Sequence, residues 1–157
     1  MPIDYKSLPK IELHCHLDAS LRVSTVAELG RKIGLTLPNP LEPALVAPEC
    51  CIDLADYLVR IDLALEVMQQ RDHLVRIGRE VVEDLAADGV IYGEIRFAPQ
   101  LHLRDGLSMQ EVLHAVHEVE SEGTMALRES RLRMPGHCLK SAERLTGRIP
   151  AVPAAGS

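Results

Sequence analysis

The chain of 157 residues has no tryptophan, a single phenylalanine and three tyrosines, and it lacks long apolar runs. Apolar stretches such as 44–47 are broken by proline or charged residues well before the roughly 20 apolar residues that a membrane span requires. The first ten residues carry charges and prolines where a signal peptide needs an apolar core. We therefore expect neither a membrane partner nor export.

Cysteine is also scarce. The four cysteines, at positions 15, 50, 51 and 138, show no Cys-x-x-Cys spacing, and two of them are adjacent, which suits a disulfide framework poorly. A cytoplasmic location is expected. Basic residues are outnumbered by acidic ones, 17 to 23, and the resulting charge of -6 disfavours nucleic-acid binding. The expected partner is a small molecule, and the sequence leaves the oligomeric state open.

The sequence patterns predict strands and helices that alternate along the chain. Residues 10–17 alternate between apolar and polar side chains, and residues 90–97 are rich in β-branched and aromatic ones, so each segment is predicted to be a strand. Helices are predicted where a cap residue precedes an apolar stripe at helical spacing. The predicted caps are Ser24, Asp53, Asp72 and Ser108, the last in a capping box with Glu111.

Helices between strands indicate the α/β class with a parallel sheet.

The composition of the chain changes beyond residue 120. Six of the 17 basic residues but only three of the 23 acidic ones lie from Ser121 onward, and no strand pattern appears there. We therefore predict a structured unit at 1–120 and an atypical tail at 121–157 that is poorly ordered or weakly helical.

A His-x-His pair lies on the first predicted strand. His14 and His16 share one face about 7 Å apart along the chain, since a strand rises about 3.3 Å per residue, and imidazoles that lean together can share one metal ion. Asp18 follows at the same end, where it can contact a substrate or add a ligand. The pair alone names no ion, because zinc, iron, nickel and copper all accept imidazole. Ordinary polar packing stays open as the alternative.

The segment around this pair, LPKIELHCHLDASLR at 8–22, resembles the opening strand of the adenosine deaminase family, and DGVIYGEIRFAPQ at 88–100 resembles that family's second barrel strand. The resemblance covers about residues 5–117. It implies a partial TIM (β/α)8 barrel, consisting of the first two barrel strands with long intervening helices, with its site at the C-terminal ends of the strands. Residues 1–120 are then the N-terminal portion of a deaminase-like barrel.

The same resemblance implies site residues. His14 and His16 are implied to be ligands of one zinc ion, and His16 and Asp18 to bind the nucleoside, Asp18 through the ribose. Related adenine deaminases commonly have glutamate at position 18, so aspartate favours a nucleoside over a free base. Ala19 departs from the usual glycine of the family, which is expected to change the turn beneath the ribose.

The implied function is hydrolytic deamination of adenosine or deoxyadenosine to inosine or deoxyinosine with release of ammonia. In the family, zinc activates a water, while a glutamate and a histidine from later strands handle the protons. No catalytic residue is therefore predicted in this chain, which we expect to be truncated. The alternatives are an inactive fragment, arising for example by a frameshift near residues 118–123, and another purine or adenine deaminase of the metal-dependent amidohydrolase superfamily.

Other polar residues are interpreted more simply. Glu94 and Arg96 alternate with apolar neighbours on the second strand and are predicted to form a structural ion pair rather than part of the site. No functional role is predicted for five further histidine and cysteine residues, namely His102, His114, His117, His137 and Cys138.

Overall fold

The structure, a computed structural model, describes residues 4–5, 7–122 and 126–129. Its sheet has three strands, β1 (Lys10–His16), β2 (Val90–Phe97) and β3 (Ala126–Glu129). They lie side by side in the order β1-β2-β3, and both neighbouring pairs are parallel. The predicted α/β class with a parallel sheet is confirmed.

Helices connect the strands. Three of them lie between β1 and β2 and one lies between β2 and β3. They are α1 (Val23–Lys32), α2 (Leu54–Glu66), α3 (Arg71–Ala87) and α4 (Met109–Glu122). Helix α3 packs against both α4 and β2, so the core forms between the sheet and these helices. The largest fully buried apolar side chains of this core are Leu17, Val26, Leu29, Val67, Met68, Leu74, Ile77, Ile95, Val112 and Val116.

Two of the four predicted helix caps are confirmed. The Asp53 carboxylate accepts a hydrogen bond from the Asp56 amide at 2.9 Å, which fixes the start of α2. Ser108 and Glu111 form the predicted capping box before α4, because the Ser108 amide donates to Glu111 Oε2 at 2.8 Å and the Glu111 amide donates to Ser108 Oγ at 3.3 Å. Both helices therefore begin where the sequence places them.

The other two predicted caps are wrong. Helix α1 begins at Val23, so Ser24 lies inside its first turn, and α3 begins at Arg71, which puts Asp72 inside that helix as well. The cap position of α1 is held by Arg22, whose guanidinium reaches Asp84 Oδ1 on α3 at 2.7 Å. A contact between distant elements thus fixes the extended residue before α1, where local cap preference favours the serine.

Strand β3 corrects the prediction for the end of the chain. No strand is predicted after residue 120, whereas residues 126–129 form a strand that pairs with β2 from Glu94 to Phe97. The parallel neighbour β2 supplies the hydrogen-bonding edge that this short segment needs. The remainder of the predicted tail lies outside the described residues, so the division at residue 120 stays a prediction. Within the described ranges, no helix is long and apolar enough to cross a membrane.

Candidate functional site

The candidate site lies where β1 and β2 end. The two strands are parallel, so their carboxyl ends meet at one edge of the sheet, with His16 opposite Arg96. The chain leaves β1 through a short 3₁₀ turn, Leu17–Ala19, whose Leu17 is fully buried in the core. That buried leucine fixes the turn against the body of the protein and places the predicted site residues at this edge.

The two histidines are brought together. His14 Nε2 lies 3.1 Å from His16 Nε2, and the ring centroids are 5.1 Å apart. Two nitrogen ligands of one tetrahedral zinc ion, each about 2.0–2.1 Å from it, lie roughly 3.3 Å from each other. The ring nitrogens therefore face each other at the separation that one metal ion requires, and both side chains are open to solvent on one side.

A β-bulge in β1 underlies this geometry. The pairing with β2 shifts between Glu12 and Cys15, and the amide of His14 donates to Glu12 Oε1 at 2.8 Å. The bulge breaks the strict alternation that the sequence predicts, so Leu13 and His14 are both exposed. The apolar side chains of Ile11 and Leu13 on this strand are 63% and 56% exposed.

Asp18 lies beside the histidine pair. The residue is only 8% exposed, and its Oδ1 lies 3.6 Å from His16 Nδ1 but has no hydrogen-bond partner among the described residues. Burial raises the pKa of the Asp18 carboxyl above its ordinary value, while the neighbouring His16 opposes that shift. Asp18 is thus a buried carboxylate held next to His16.

Ser20 stabilises the turn that carries Asp18. Its hydroxyl donates to the His16 carbonyl at 2.6 Å and lies 3.2 Å from Cys15 Sγ. The pKa of the half-buried Cys15 thiol is raised, chiefly by burial. Asp18 and Ser20 therefore belong to one turn. The Ser20 hydroxyl stabilises that turn, and the Asp18 side chain lies beside His16.

A cavity of about 220 Å³ lies next to Asp18. One wall is the turn after β1, and another is the outer half of α2, which contributes Tyr57, Arg60 and Ile61. Arg60 was not identified from the sequence, because nothing local to it indicates that α2 lies beside the turn after β1. Leu54, at the start of α2, is 70% exposed.

The other polar residues considered in the sequence have varied surroundings, and Arg96 lies opposite His16 at the carboxyl end of β2. Glu94 accepts a hydrogen bond from the Tyr92 hydroxyl at 3.0 Å, and Arg96 Nε is buried without a hydrogen-bond partner among the described residues. His102 is fully buried, whereas His114 on α4 is exposed and His117 is half-buried. His137 and Cys138 lie outside the described residues. In the part of the chain that the structure describes, no third His, Cys, Asp or Glu completes a metal-ion cluster.

Comparison with known proteins gives one consistent family. The sequence profile described as adenosine deaminase matches residues 9–146, beyond the end at residue 117 expected from the motifs. The chain is 43% identical over 115 residues to an adenosine deaminase of Shewanella woodyi, covering 71% of this chain and 35% of the relative. It is also 43% identical over 120 residues to an adenosine deaminase of Clostridium botulinum, covering 74% and 36%. The chain thus spans about a third of the length of these relatives.

Solved structures of deaminases have the same fold. The N6-methyl-AMP deaminase of Arabidopsis thaliana matches with a TM-score of 0.63 and 29% identity, covering 80% of this chain and 40% of that one. At 21% identity and a TM-score of 0.61, a zinc-bound amidohydrolase of Burkholderia ambifaria matches over 80% of this chain and 35% of its own. These neighbours are (β/α)8-barrel amidohydrolases, so the expected fold, part of such a barrel, is confirmed.

Proposed function

This chain belongs to the adenosine deaminase family, and from that premise we propose that it forms the first part of a zinc-dependent barrel that deaminates adenosine or deoxyadenosine by hydrolysis. The observation that carries the proposal is the position of His14 Nε2 and His16 Nε2, 3.1 Å apart at the C-terminal end of β1. Barrel enzymes hold their chemistry at that end of the strands.

The histidine pair fits a metal ion as half of a site. Imidazole nitrogen suits zinc, and the measured separation matches two of four tetrahedral positions. When bound, zinc supplies Lewis-acid activation of a water for attack on the substrate carbon. The Glu12 carboxylate holds the backbone of His14 through a 2.8 Å hydrogen bond and so fixes the direction of that ligand.

Asp18 is proposed to bind the sugar of the nucleoside. Its Oδ1 is buried and without a hydrogen-bond partner among the described residues, and a buried acceptor of this kind gains from a donor that a ligand supplies. The Nδ1 atom of His16 lies 3.6 Å from Asp18 Oδ1. His16 would therefore border both the metal half-site and the bound sugar. The proposed substrate is a small-molecule nucleoside, and no nucleic-acid partner is proposed.

The remaining zinc ligands and the groups that donate and accept protons are proposed to come from barrel strands that the described residues do not include. An alternative follows from the same fact: without those strands the chain is an inactive member of the family. It is supported by the absence, among the described residues, of a third His, Cys, Asp or Glu that would join His14 and His16 in a metal site. The family profile continues to residue 146, which argues against an unrelated tail beginning near residue 120.

We also propose a cytoplasmic location. Among the described residues Cys15, Cys50 and Cys51 are free thiols, and the last two are adjacent in an exposed loop. Free thiols of this kind persist in a reducing compartment.

Conversion of adenosine to inosine, followed by the loss of adenosine absorbance, tests the proposal on the purified full chain with added zinc. Turnover that disappears in His16→Ala but persists in His114→Ala would establish the deaminase. His114 is a suitable control because it is an exposed histidine on α4, away from the pair. A folded, zinc-loaded chain that leaves adenosine unchanged would instead support the inactive alternative.

A further inference from the structure

Two cysteines are adjacent in the loop before α2. Cys50 is exposed, Cys51 is half-buried, and both are free thiols. Of the other two cysteines in the chain, Cys15 is half-buried on β1 and Cys138 lies outside the described residues. The chemistry proposed for the histidine pair uses neither Cys50 nor Cys51, which we call the vicinal dithiol. It is a second pair of sulfur nucleophiles without an assigned role.

A direct bond between the two sulfur atoms of the vicinal dithiol is disfavoured. Neighbouring Cα atoms are about 3.8 Å apart across a trans peptide bond, whereas disulfides usually join Cα atoms about 4.4–6.8 Å apart. A disulfide between adjacent cysteines is therefore strained and easily reduced. An atom bonded to both sulfurs at about 2.3 Å, the length of a zinc–sulfur bond, separates them by roughly 3.5 Å and relieves this strain. The pair therefore suits a bridging atom better than a disulfide.

The number of ligands selects the bridging element. Soft elements prefer sulfur ligands, and zinc bound to thiolates in a structural site has four ligands. Among the described residues, no group of three or more His, Cys, Asp or Glu side chains could hold a metal ion, so the vicinal dithiol offers only two such ligands. An organic arsenical in the trivalent state has one carbon substituent and two hydroxyl groups that thiols replace. Its two exchangeable positions match the two sulfurs.

The loop is anchored on the side that leads into α2. The Ile52 amide donates to Asp56 Oδ2 at 3.1 Å, and the Asp56 amide donates to Asp53 Oδ1 at 2.9 Å. These hydrogen bonds use backbone amides and carboxylates, so a reaction at sulfur leaves them intact. Because the residue after Cys51 is already held in place, less conformational entropy is lost when both sulfurs bind one atom.

We propose that Cys50 and Cys51 form a binding site for trivalent organic arsenicals. Two S–H bonds and two As–OH bonds break, two As–S bonds form and two water molecules leave, while arsenic stays trivalent and no oxidant is needed. The second As–S bond closes within one molecule, where the effective concentration of the second thiol is about millimolar or higher. The vicinal dithiol lies in the sequence between Ala47 and Tyr57, which line the cavity beside Asp18, so capture adds a bulky group to the segment that joins two cavity walls.

The test uses phenylarsine oxide and the reduced full chain in excess glutathione, a single thiol that competes with isolated cysteines. Intact-protein mass spectrometry is expected to show one arsenical per chain, and peptide mapping should locate it at residues 50–51. Excess ethanedithiol should remove it, because that reagent also binds arsenic through two sulfurs. Cys50→Ser and Cys51→Ser should each weaken binding at least about a hundredfold, since either change removes the intramolecular second bond.

Cys15→Ser is the matched control. Cys15 is a half-buried single thiol on β1, whose Sγ lies 3.2 Å from Ser20 Oγ, so this variant should bind the arsenical as the unmodified chain does. His14→Ala should also bind it unchanged, because the site does not rest on the proposed deaminase function or its zinc ion. Circular dichroism of each variant shows that it is folded.

Three results would overturn the assignment. A folded Cys50→Ser or Cys51→Ser could keep the affinity of the unmodified chain, which would show that one sulfur is enough. Glutathione alone could remove the arsenical, which is the behaviour of a single thiol. Peptide mapping could instead locate the arsenical at Cys15 or Cys138. Each of these results leaves the proposed deaminase function untouched, because that function is measured by turnover of adenosine.

Discussion

His14 Nε2 and His16 Nε2 face each other at 3.1 Å on the exposed side of the first strand. Two imidazoles at this separation can share one zinc ion, so the isolated chain is expected to bind zinc with a stoichiometry of about one. Either His14→Ala or His16→Ala should abolish this binding, because a single imidazole is a poor site. Calorimetric titration with zinc measures it, with His114→Ala as the control. Equal binding by His16→Ala and the unmodified chain would contradict the half-site.

The stability of α2 depends on its cap. Asp53→Ala removes the hydrogen bond to the Asp56 amide, and we expect the free energy of unfolding to fall by about 1 kcal/mol. Ser24→Ala is the matched control, because Ser24 is exposed and lies inside the first turn of α1. That change should have an effect of less than about 0.5 kcal/mol. Urea unfolding of the two variants measures both values. A larger loss in Ser24→Ala would show that the serine caps α1 after all.

A buried histidine gives the chain a pH-dependent stability. His102 is fully buried, and its Nδ1 donates to the Met68 carbonyl at 3.2 Å, which leaves Nε2 as a bare nitrogen without a partner among the described residues. Burial lowers the pKa of His102 from 6.5 to about 4. The unfolded chain therefore takes up a proton at a higher pH than the folded chain does.

The contribution of neutral His102 to the free energy of unfolding is fully present above pH 6.5. It falls by about 3 kcal/mol as the pH falls toward 4. His102→Gln removes the titrating group, so its unfolding free energy should depend less steeply on pH across that window. Urea unfolding at a series of pH values compares the two proteins, and carboxylates that titrate in both cancel in the difference. Equal slopes would show that His102 does not carry the effect.

Strand β1 is an edge of the described sheet, and it exposes Ile11 and Leu13. An exposed apolar edge strand favours self-association, so the isolated chain is expected to form concentration-dependent oligomers. Leu13→Lys should reduce this association in sedimentation velocity experiments. Ile52→Lys is the control, since Ile52 is 91% exposed but lies in a loop rather than on the strand. A monomer at all concentrations, with a sharp cooperative melt, would count against the prediction.

Much of the candidate site could be predicted because it is local. His14, His16 and Asp18 fall within five consecutive residues, so a strand and the turn after it bring them to one edge of the sheet. The bulge in β1 could not be predicted, because it depends on how that strand pairs with β2. Arg60 was missed for a similar reason: its distance in the sequence gave no sign that α2 lies over the turn.

The sequence by itself determined the first two strands, the four helices, two helix caps and the histidine pair, because each depends on residues within a few positions of one another. Only the tertiary structure decided that Arg22 rather than Ser24 precedes α1, that residues 126–129 form a third strand, and that Arg60 shares a cavity with Asp18. Those features arise where elements distant in the chain compete with local preference, and packing between them outweighs the propensity of any single residue.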